Sequence, residues 1–575
     1  MKKSLILLLV TALILSMLAG CSGSTETAEE SPQQANEASQ PVEPPVNSET
    51  PAVSDQPAAG DEILPEETTE TLSYSIEYPI ETDVTLTCWM PFKAPHESIG
   101  EYNDFPLLGD YAEITGVAVD FKSVSQMAAT EQFNLMVASG EYSDMTSAAV
   151  STYTGTFEAA IEDGLCIELG PYLEQYMPDY YAMLNSDETA LKTSMDDSGR
   201  IVAVYTLKDC YWPVMSQLCI RQDWLDDLGM EVPQTIEEAE SFLLAVKAAY
   251  DPYNCFEITS SNYIGAFTEG MGIGAFTEGA GIGNGIYQVD GEIRYTAVQP
   301  EYKEYIETMA RWYENGLFTQ DFLSLGTTGN PGELAAYIYT DDVAIFSTTA
   351  SEFENHKANA QNPNFEVEGI GPITKTAGET THFTDISSIK TTENISISEN
   401  CKNVELACMW LNFWFTDYGS DLANYGIEGM TFDYDNDGTP YFTEFVTNND
   451  LDIATNRFSA IYSLYAKGVP IATQEKRLQQ TFTDKMSRAY EVWTARVDGE
   501  YLLPAITLSA VESESTSSFL TDIETLIEEN VAKFIIGEKD MAEWDNFISE
   551  VYAMRLDDIL AVYQAALDRY NLRGA

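Results

Sequence analysis

One stretch of this 575-residue chain has the residue types and spacing of a cation loop. Asp433, Asp435 and Asp437 alternate, Gly438 and Thr439 follow, and Glu444 closes the pattern D-x-D-x-D-G-x5-E. A hard cation such as calcium needs that ring of oxygens, with glycine at the sharp turn and a bidentate glutamate closing it. No amphipathic helix clearly precedes the loop, so a metal-free hairpin turning at Asp437-Gly438 is the competing reading. Structural calcium is therefore the one cofactor suggested, and none is required. The three histidines, His96, His356 and His382, are isolated in sequence and give no support for zinc. Seven cysteines remain after Cys21, without a C-x-x-C pair, and read as small buried apolar residues. No G-x-S-x-G elbow or P-loop occurs. Paired carboxylates about 5–10 Å apart would serve a glycosidase, but 93 acidic residues supply such pairs anywhere.

The elements that must position such residues belong to a large, acidic, folded chain. It has 28 Lys+Arg against 93 Asp+Glu, a formal charge of −65, and 44% hydrophobic residues. That balance excludes nucleic acid, whose phosphates are contacted chiefly by Lys and Arg, and a polybasic membrane patch. The apolar fraction supports a sizeable core, so the acidity belongs to a surface.

The amino end sets the compartment. Lys2 and Lys3 precede an apolar run from Leu5 to Met17, shorter than the roughly 20 residues that span a bilayer. Leu18-Ala19-Gly20-Cys21 then looks like a bacterial lipobox, implying a signal peptide over 1–20 and a lipidated (palmitate-bearing) Cys21. The body would sit on the outer face of the cell membrane, held by its lipid alone. Residues 22–73 read as a disordered tether: Ser22–Leu72 holds 12 Asp+Glu, 7 Pro and no Lys or Arg.

Beyond the tether, Val84–Met90, Gly116–Phe121 and Ile201–Tyr205 alternate as strands do. Thr235 and Glu238 form a capping box for a helix whose apolar positions run from Ile236 to Ala249. A second helix spans Val404 to Phe415 and stops near Gly419, and Leu520–Ile536 and Met541–Leu572 carry helical periodicity. Interleaved helices and apolar strands predict α/β architecture with largely parallel sheets. Ile264–Gly272 is nearly repeated by Ile273–Gly281, a tandem copy placed in a loop, too short for a solenoid.

The segment Leu218-Cys-Ile-Arg-Gln-Asp-Trp-Leu-Asp-Asp-Leu-Gly-Met-Glu-Val-Pro-Gln-Thr-Ile-Glu-Glu238 resembles the "IRKDWLDKLGLEVPKTLDE" stretch of extracellular solute-binding proteins of ABC sugar importers, in particular the large Firmicutes lipoproteins of family 1. Asn394–Glu428, with Ser398-Glu-Asn-Cys-Lys-Asn-Val-Glu, Thr416-Asp-Tyr-Gly-Ser-Asp and Asn424-Tyr-Gly-Ile-Glu428-Gly, is similar as well. Where relatives often read "DGKIYGIP", this chain has Ser198-Gly-Arg-Ile-Val-Ala-Val-Tyr205, without the proline. The resemblance implies an α/β, two-lobed periplasmic-binding-protein-like fold with crossing hinge strands. It implies a first lobe of 74–207 plus 371–418 and a second of 208–370 plus 419–575. Crossings would lie near Leu207–Trp212, Gly369–Pro372 and Tyr418–Asp421.

It also implies a monomer that captures a carbohydrate, an oligosaccharide above all, between the lobes and delivers it to an ABC permease without chemistry. A surface glycoside hydrolase and a calcium-dependent adhesin are the alternatives. Sugars stack on aromatic rings while carboxylates and amides bridge their hydroxyls. Trp89 lies near the end of the first strand, opposite in parity to Cys88 and Met90, and solutes bind beyond strand carboxyl ends. Asp144 and Tyr153 flank a strand-to-loop junction, Tyr211 and Trp212 precede the second lobe, and Tyr425 and Glu428 lie after the family-like helix. These seven are the candidate solute contacts. Arg221 reads as a structural arginine paired with nearby aspartates, and Trp414 as core.

Overall fold

The computed structural model describes residues 74–92, 100–274, 285–325, 331–384, 389–451 and 454–574. Cys21, the signal segment and the tether lie outside the described residues, as do 275–281 of the tandem copy. Leu72–Ala575 forms one unit.

A six-stranded sheet organises the first half. Its strands are β1 (Thr85–Phe92), β2 (Ala118–Ser125), β3 (Met145–Ser147), β4 (Val204–Lys208), β11 (Lys390–Ile397) and β14 (Ala472–Thr473), in the order β14-β4-β11-β3-β1-β2. β1 is parallel to β2 and β3, and β14 to β4, whereas β11 is antiparallel to both its neighbours. A four-stranded sheet organises the second: β5 (Ser216–Arg221), β6 (Asn254–Phe256), β9 (Val343–Thr349) and β10 (Val367–Gly369), ordered β10-β5-β9-β6. Only β6 and β9 pair in parallel there. The expectation of largely parallel sheets is thus corrected: β11 and β5 are entered directly from a crossing and run back against their neighbours. Two hairpins, β7–β8 (Ile286–Val289, Glu292–Tyr295) and β12–β13 (Phe432–Tyr434, Pro440–Phe442), complete the strands.

The buried side chains form two main cores. One gathers Leu86, Met90, Phe121, Leu207, Ile395, Trp410 and Trp414, and runs on through Leu422, Tyr425, Phe442 and Ala472. The other gathers Ile220, Trp224, Phe242, Phe256, Trp312, Ile345, Ile527 and Tyr563. Residues 419–472 therefore pack with the first core, not the second, and the lobe boundary expected at 418 is corrected. The third crossing lies at 480–484, after the short helix Glu475–Gln479. At its first residue, Gln480 Nε2 still donates to Tyr425 OH (3.3 Å) and Pro440 O (3.0 Å) in the first lobe. The first crossing runs over 209–215, between β4 and β5. The second is later than expected, leaving Ile373 in the second core and reaching β11 at Lys390.

All three crossings leave one corner of the first sheet. Leu207 in β4 is in register with Lys390 on one side and Ala472 on the other.

Local chemistry accounts for the helices. Thr235 caps Ile236–Tyr250 with Glu238 reciprocating. The expected stop at Gly419 is corrected. The helix Val404–Phe413 ends earlier, and Thr416 caps a new one, Asp417–Tyr425, which contains Gly419. A Cβ at Gly419 would come 1.8 Å from Phe413 O, so the glycine permits a close turn between two helices. The predicted Met541–Leu572 helix is broken before Leu556–Asn571 by Arg555, whose φ is +68°.

That last helix, of the second core, is fastened to the first lobe. Arg569 Nε donates to Asp197 Oδ2 (2.7 Å), and Arg573 Nη2 to Asp197 Oδ1 (2.7 Å). Arg573 is almost fully buried, and its remaining N–H groups reach Lys192 O, Ala505 O and Thr507 Oγ1. Removing one partner of a buried ion pair strands the other's charge. Asp197→Ala should cost about 3 kcal/mol, read as an early urea transition, whereas Lys122→Ala, which breaks an exposed pair, should cost less than about 1 kcal/mol.

Candidate functional site

β1, β3 and β4 point the same way and β11 the opposite way. Phe92, Ser147, Lys208 and Lys390 therefore share one sheet edge, the edge from which the crossings depart. Polar groups collect there. Ser147 Oγ donates to Gly468 O (2.9 Å), which holds the loop 465–468 against the end of β3. Ala148 (φ +55°) and Ala466 (φ +56°) both adopt the left-handed conformation, which costs a residue with a Cβ about 1 kcal/mol. The β11–β4 register shifts between Lys390 and Asn394, a bulge that re-aims residues beside the crossing.

The charges at this edge are partly desolvated. Lys390 Nζ lies 4.0 Å from the Tyr205 ring centre, and burial lowers its ammonium to about 8. Lys467 Nζ lies 4.7 Å from the Phe105 ring, and burial, with Arg477 nearby, lowers it to about 8 too. Glu393 accepts from Thr206 Oγ1 (3.2 Å), and burial raises its carboxyl. Arg477 is fully buried, 3.7 Å from the Tyr465 ring centre.

The second sheet presents a matching edge. β5 begins where the first crossing arrives, so the facing ends of β9 and β6 are Thr349 and Phe256, and Glu257 follows directly. Glu257 accepts from Ser347 N (2.7 Å) and has no ion-pair partner among the described residues; burial pushes its carboxyl up to about 7. Glu269, in the first copy of the tandem repeat, is also pushed up to about 7 by burial. The repeat's first copy is core rather than free loop: Phe267 and Met271 are buried, and a Cβ on Gly270 would meet Ile373 O at 1.9 Å. A groove of about 630 Å³ runs where Pro213 of the first crossing meets Gln479, Phe482, Tyr490, Glu491 and Thr494 near the third.

The predicted contacts divide. Trp89 does lie opposite Cys88 and Met90, but it is 8% exposed, beneath Phe133 (5.9 Å between ring centres). Asp144 precedes β3, at the edge away from the crossings, where its carboxylate accepts from Thr87 N (2.8 Å) and Oγ1 (2.7 Å) and ties β1 to β3. Tyr425 is fully buried between Phe432 and Phe442. These three are corrected to structural roles. Half-buried Tyr153 donates to Asp163 Oδ2 (2.6 Å). Tyr211 is exposed on the first crossing and donates to Asp187 (2.7 Å); half-buried Trp212 beside it has Lys208 Nζ 5.6 Å from its ring. Glu428 is exposed and accepts from Tyr418 OH (3.1 Å) in a second groove of about 480 Å³, shared with Asp110, Glu113 and Asp433.

The cation loop is a hairpin, and no three of its carboxylates bring ligand atoms within 4.8 Å of one another. Asp435 Oδ1 accepts the N–H groups of Asp437 (2.9 Å) and Thr439 (2.8 Å), Asp433 Oδ1 accepts from Tyr434 N, and Gly438 has φ +79°. Glu444 opens the helix Glu444–Thr447, the place of a closing ligand. All seven cysteines after Cys21 are free and six are buried, as expected.

Lys390, Lys467, Glu393, Glu257 and Glu269 were not singled out from sequence. Glu257 alone had a usable signal, a carboxylate just past a short apolar strand. The others are placed by a bulge, a turn and a tandem copy.

Two lobes joined by three crossings, with desolvated charges along both departing edges, make a two-lobed periplasmic-binding-protein-like molecule. The model of the bacterial extracellular solute-binding protein family matches residues 97–419, and the chain belongs to that family. It is similar to lipoprotein LipO of Bacillus subtilis, 22% identical over 453 residues, 77% of this chain and 85% of LipO. It is equally similar to the fructooligosaccharide ABC transporter substrate-binding protein FusA of Streptococcus pneumoniae, 22% identical over 530 residues, 86% and 92% of the two chains. A structure of an EF-hand mutant of FusA in complex with fructo-nystose superposes with TM-score 0.63 at 17% identity, covering 85% of this chain and 100% of that one. An extracellular solute-binding protein from Bifidobacterium longum subsp. infantis gives TM-score 0.68 at 18% identity, with 85% and 100% covered.

Proposed function

We propose that this protein is a lipid-anchored receptor that closes on an oligosaccharide between its lobes and delivers it to an ABC permease. The carrying observation is the pair of crossing edges: Lys390, Glu393 and Lys467 on one, Glu257 on the other. Desolvated, unequally charged groups of this kind exchange hydrogen bonds with sugar hydroxyls, while half-buried rings such as Trp212 and Phe482 offer faces for C–H stacking. Family membership and the fructooligosaccharide named for FusA support the same reading. The mechanism is a population shift: the solute touches both lobes only when they are closed, so it favours that state. Cys21 would carry the lipid, placing the monomer on the outer face of the membrane.

Titration of the mature chain with kestose and longer fructooligosaccharides should give saturable binding, with the sugar recovered intact by chromatography. Shortened sugars would point to a hydrolase, and silence across the saccharides would remove the sugar assignment.

Calcium belongs to this proposal too. Asp433, Asp435, Asp437, Thr439 and Glu444 are oxygen donors around a left-handed glycine, the donor chemistry a hard cation takes, and calcium would draw the carboxylates together and stiffen the hairpin. Calcium should raise the melting temperature of the parent and leave that of an Asp435→Ala, Asp437→Ala double variant unmoved. An equal rise in both would remove the metal from this loop.

A further inference from the structure

Histidines isolated in sequence need not be isolated in space. The segment Thr381–Thr384 lies where the second crossing leaves the second lobe, and it runs beside residues 497–501. Thr381 bridges Val497, Asp498 N donates to Thr381 O (2.9 Å), Thr384 N to Asp498 O (2.9 Å) and Tyr501 N to His382 O (3.0 Å). This ladder holds three ligand-bearing side chains together. His382 Nδ1 is 2.8 Å from Asp498 Oδ1 and 3.7 Å from Glu500 Oε2. One ligand atom from each lies within 4.8 Å of the others, and no other such group of His, Cys, Asp or Glu occurs among the described residues.

The imidazole is oriented as well as near. Its ring packs on Tyr501 (4.5 Å between centres), and Tyr501 packs on fully buried Phe383. Glu500 N donates to Asp498 Oδ1 (3.0 Å), fixing that carboxylate from the other side. The triad keeps access to solvent, with side-chain exposures of 26%, 41% and 65% for His382, Asp498 and Glu500.

We infer that His382, Asp498 and Glu500 bind a first-row transition-metal dication, zinc being the reference case. One imidazole nitrogen with two carboxylates is a borderline donor set suited to zinc, cobalt or nickel, and the nitrogen disfavours calcium. Three protein ligands leave a position for water. The ion needs the Nδ1 lone pair, so the ring N–H of the metal-bound imidazole sits on Nε2. The bound ion joins the second crossing to the strand-like run 497–501 of the second lobe, independently of what the cleft holds and of the Asp433–Glu444 loop.

The test is titration of the mature chain with cobalt and zinc in excess calcium. One equivalent of cobalt should give visible d–d bands without thiolate charge-transfer absorption, and zinc should bleach them. His382→Ala and Asp498→Asn should each weaken binding tenfold or more, while Asp435→Ala leaves it unchanged. Unweakened binding in a folded His382→Ala chain, or a thiolate band, would overturn the proposal. Protection of the unaltered protein provides a check that needs no variant: zinc should shield His382, but not His96, from diethyl pyrocarbonate, located by mass spectrometry. Equal modification of His382 with and without zinc would equally overturn it.

Discussion

Arg221→Ala should unfold the second lobe before the first, at a cost of about 3–5 kcal/mol. The guanidinium is fully buried, gives two hydrogen bonds to Asp223 (2.8 and 2.7 Å) and lies 2.7 Å from Asp341 Oδ1. It is layered between Trp224 (4.2 Å) and Phe365 (4.6 Å), so the change removes packing as well as charge and leaves two carboxylates without their cation. Urea unfolding followed by fluorescence should show an early transition that Arg221→Lys restores only in part, because an ammonium cannot make the paired contact to Asp223. A variant as stable as the parent would mean that the layered arginine contributes nothing net.

Glu257→Gln should do two things at once. Its folded-state carboxyl stands near 7, above the usual value of 4.5, so the native state holds a proton that the unfolded chain has already released between those values. Protein stability from this group is therefore fully present below about 4.5, falls as pH rises to 7, and stays low above it. The amide carries no such penalty. The variant should match the parent at pH 4.5 and exceed it by about 2 kcal/mol at pH 8, a figure reduced for the side chain's partial access to water. On the proposed reading of the cleft, kestose affinity should fall about tenfold in the same variant, because Glu257 would no longer offer a charge-assisted hydrogen bond to a sugar hydroxyl. A flat stability difference across pH would show that Glu257 is hydrated in the native state.

Arg221 and Glu257 differ in how far sequence revealed them. Arg221 was legible as structural because Asp223 is its close neighbour in sequence; Asp341 was not, since only the approach of β9 to β5 brings its turn near. The capping box at Thr235 was legible because both partners sit within one helical turn. The third crossing was misplaced by about sixty residues. Phe432, Phe442 and Ala472 read as generic apolar positions and Tyr425 as a solute contact, and nothing local says which of two cores will take them. Trp89 was assigned to the correct face of β1, but parity cannot report that a helix carrying Phe133 lies over that face. The charged edge residues escaped because a bulge and a left-handed turn, rather than any periodicity, point them where they are.

The corner where the crossings meet also sets the order in which the molecule can fold. Leu207 needs Lys390 on one flank and Ala472 on the other, and Thr206 accepts the N–H of Ile471 across 265 residues. A chain delivered from its amino end therefore carries β4 with both edges unpaired until most of the second lobe has followed. Such non-local pairing slows folding and leaves a template for intermolecular strand addition. The formal charge of −65 acts during that interval, since unfinished chains of one sign repel each other before their edges can pair. Acidity of this size therefore acts against association before the fold is complete as well as after it.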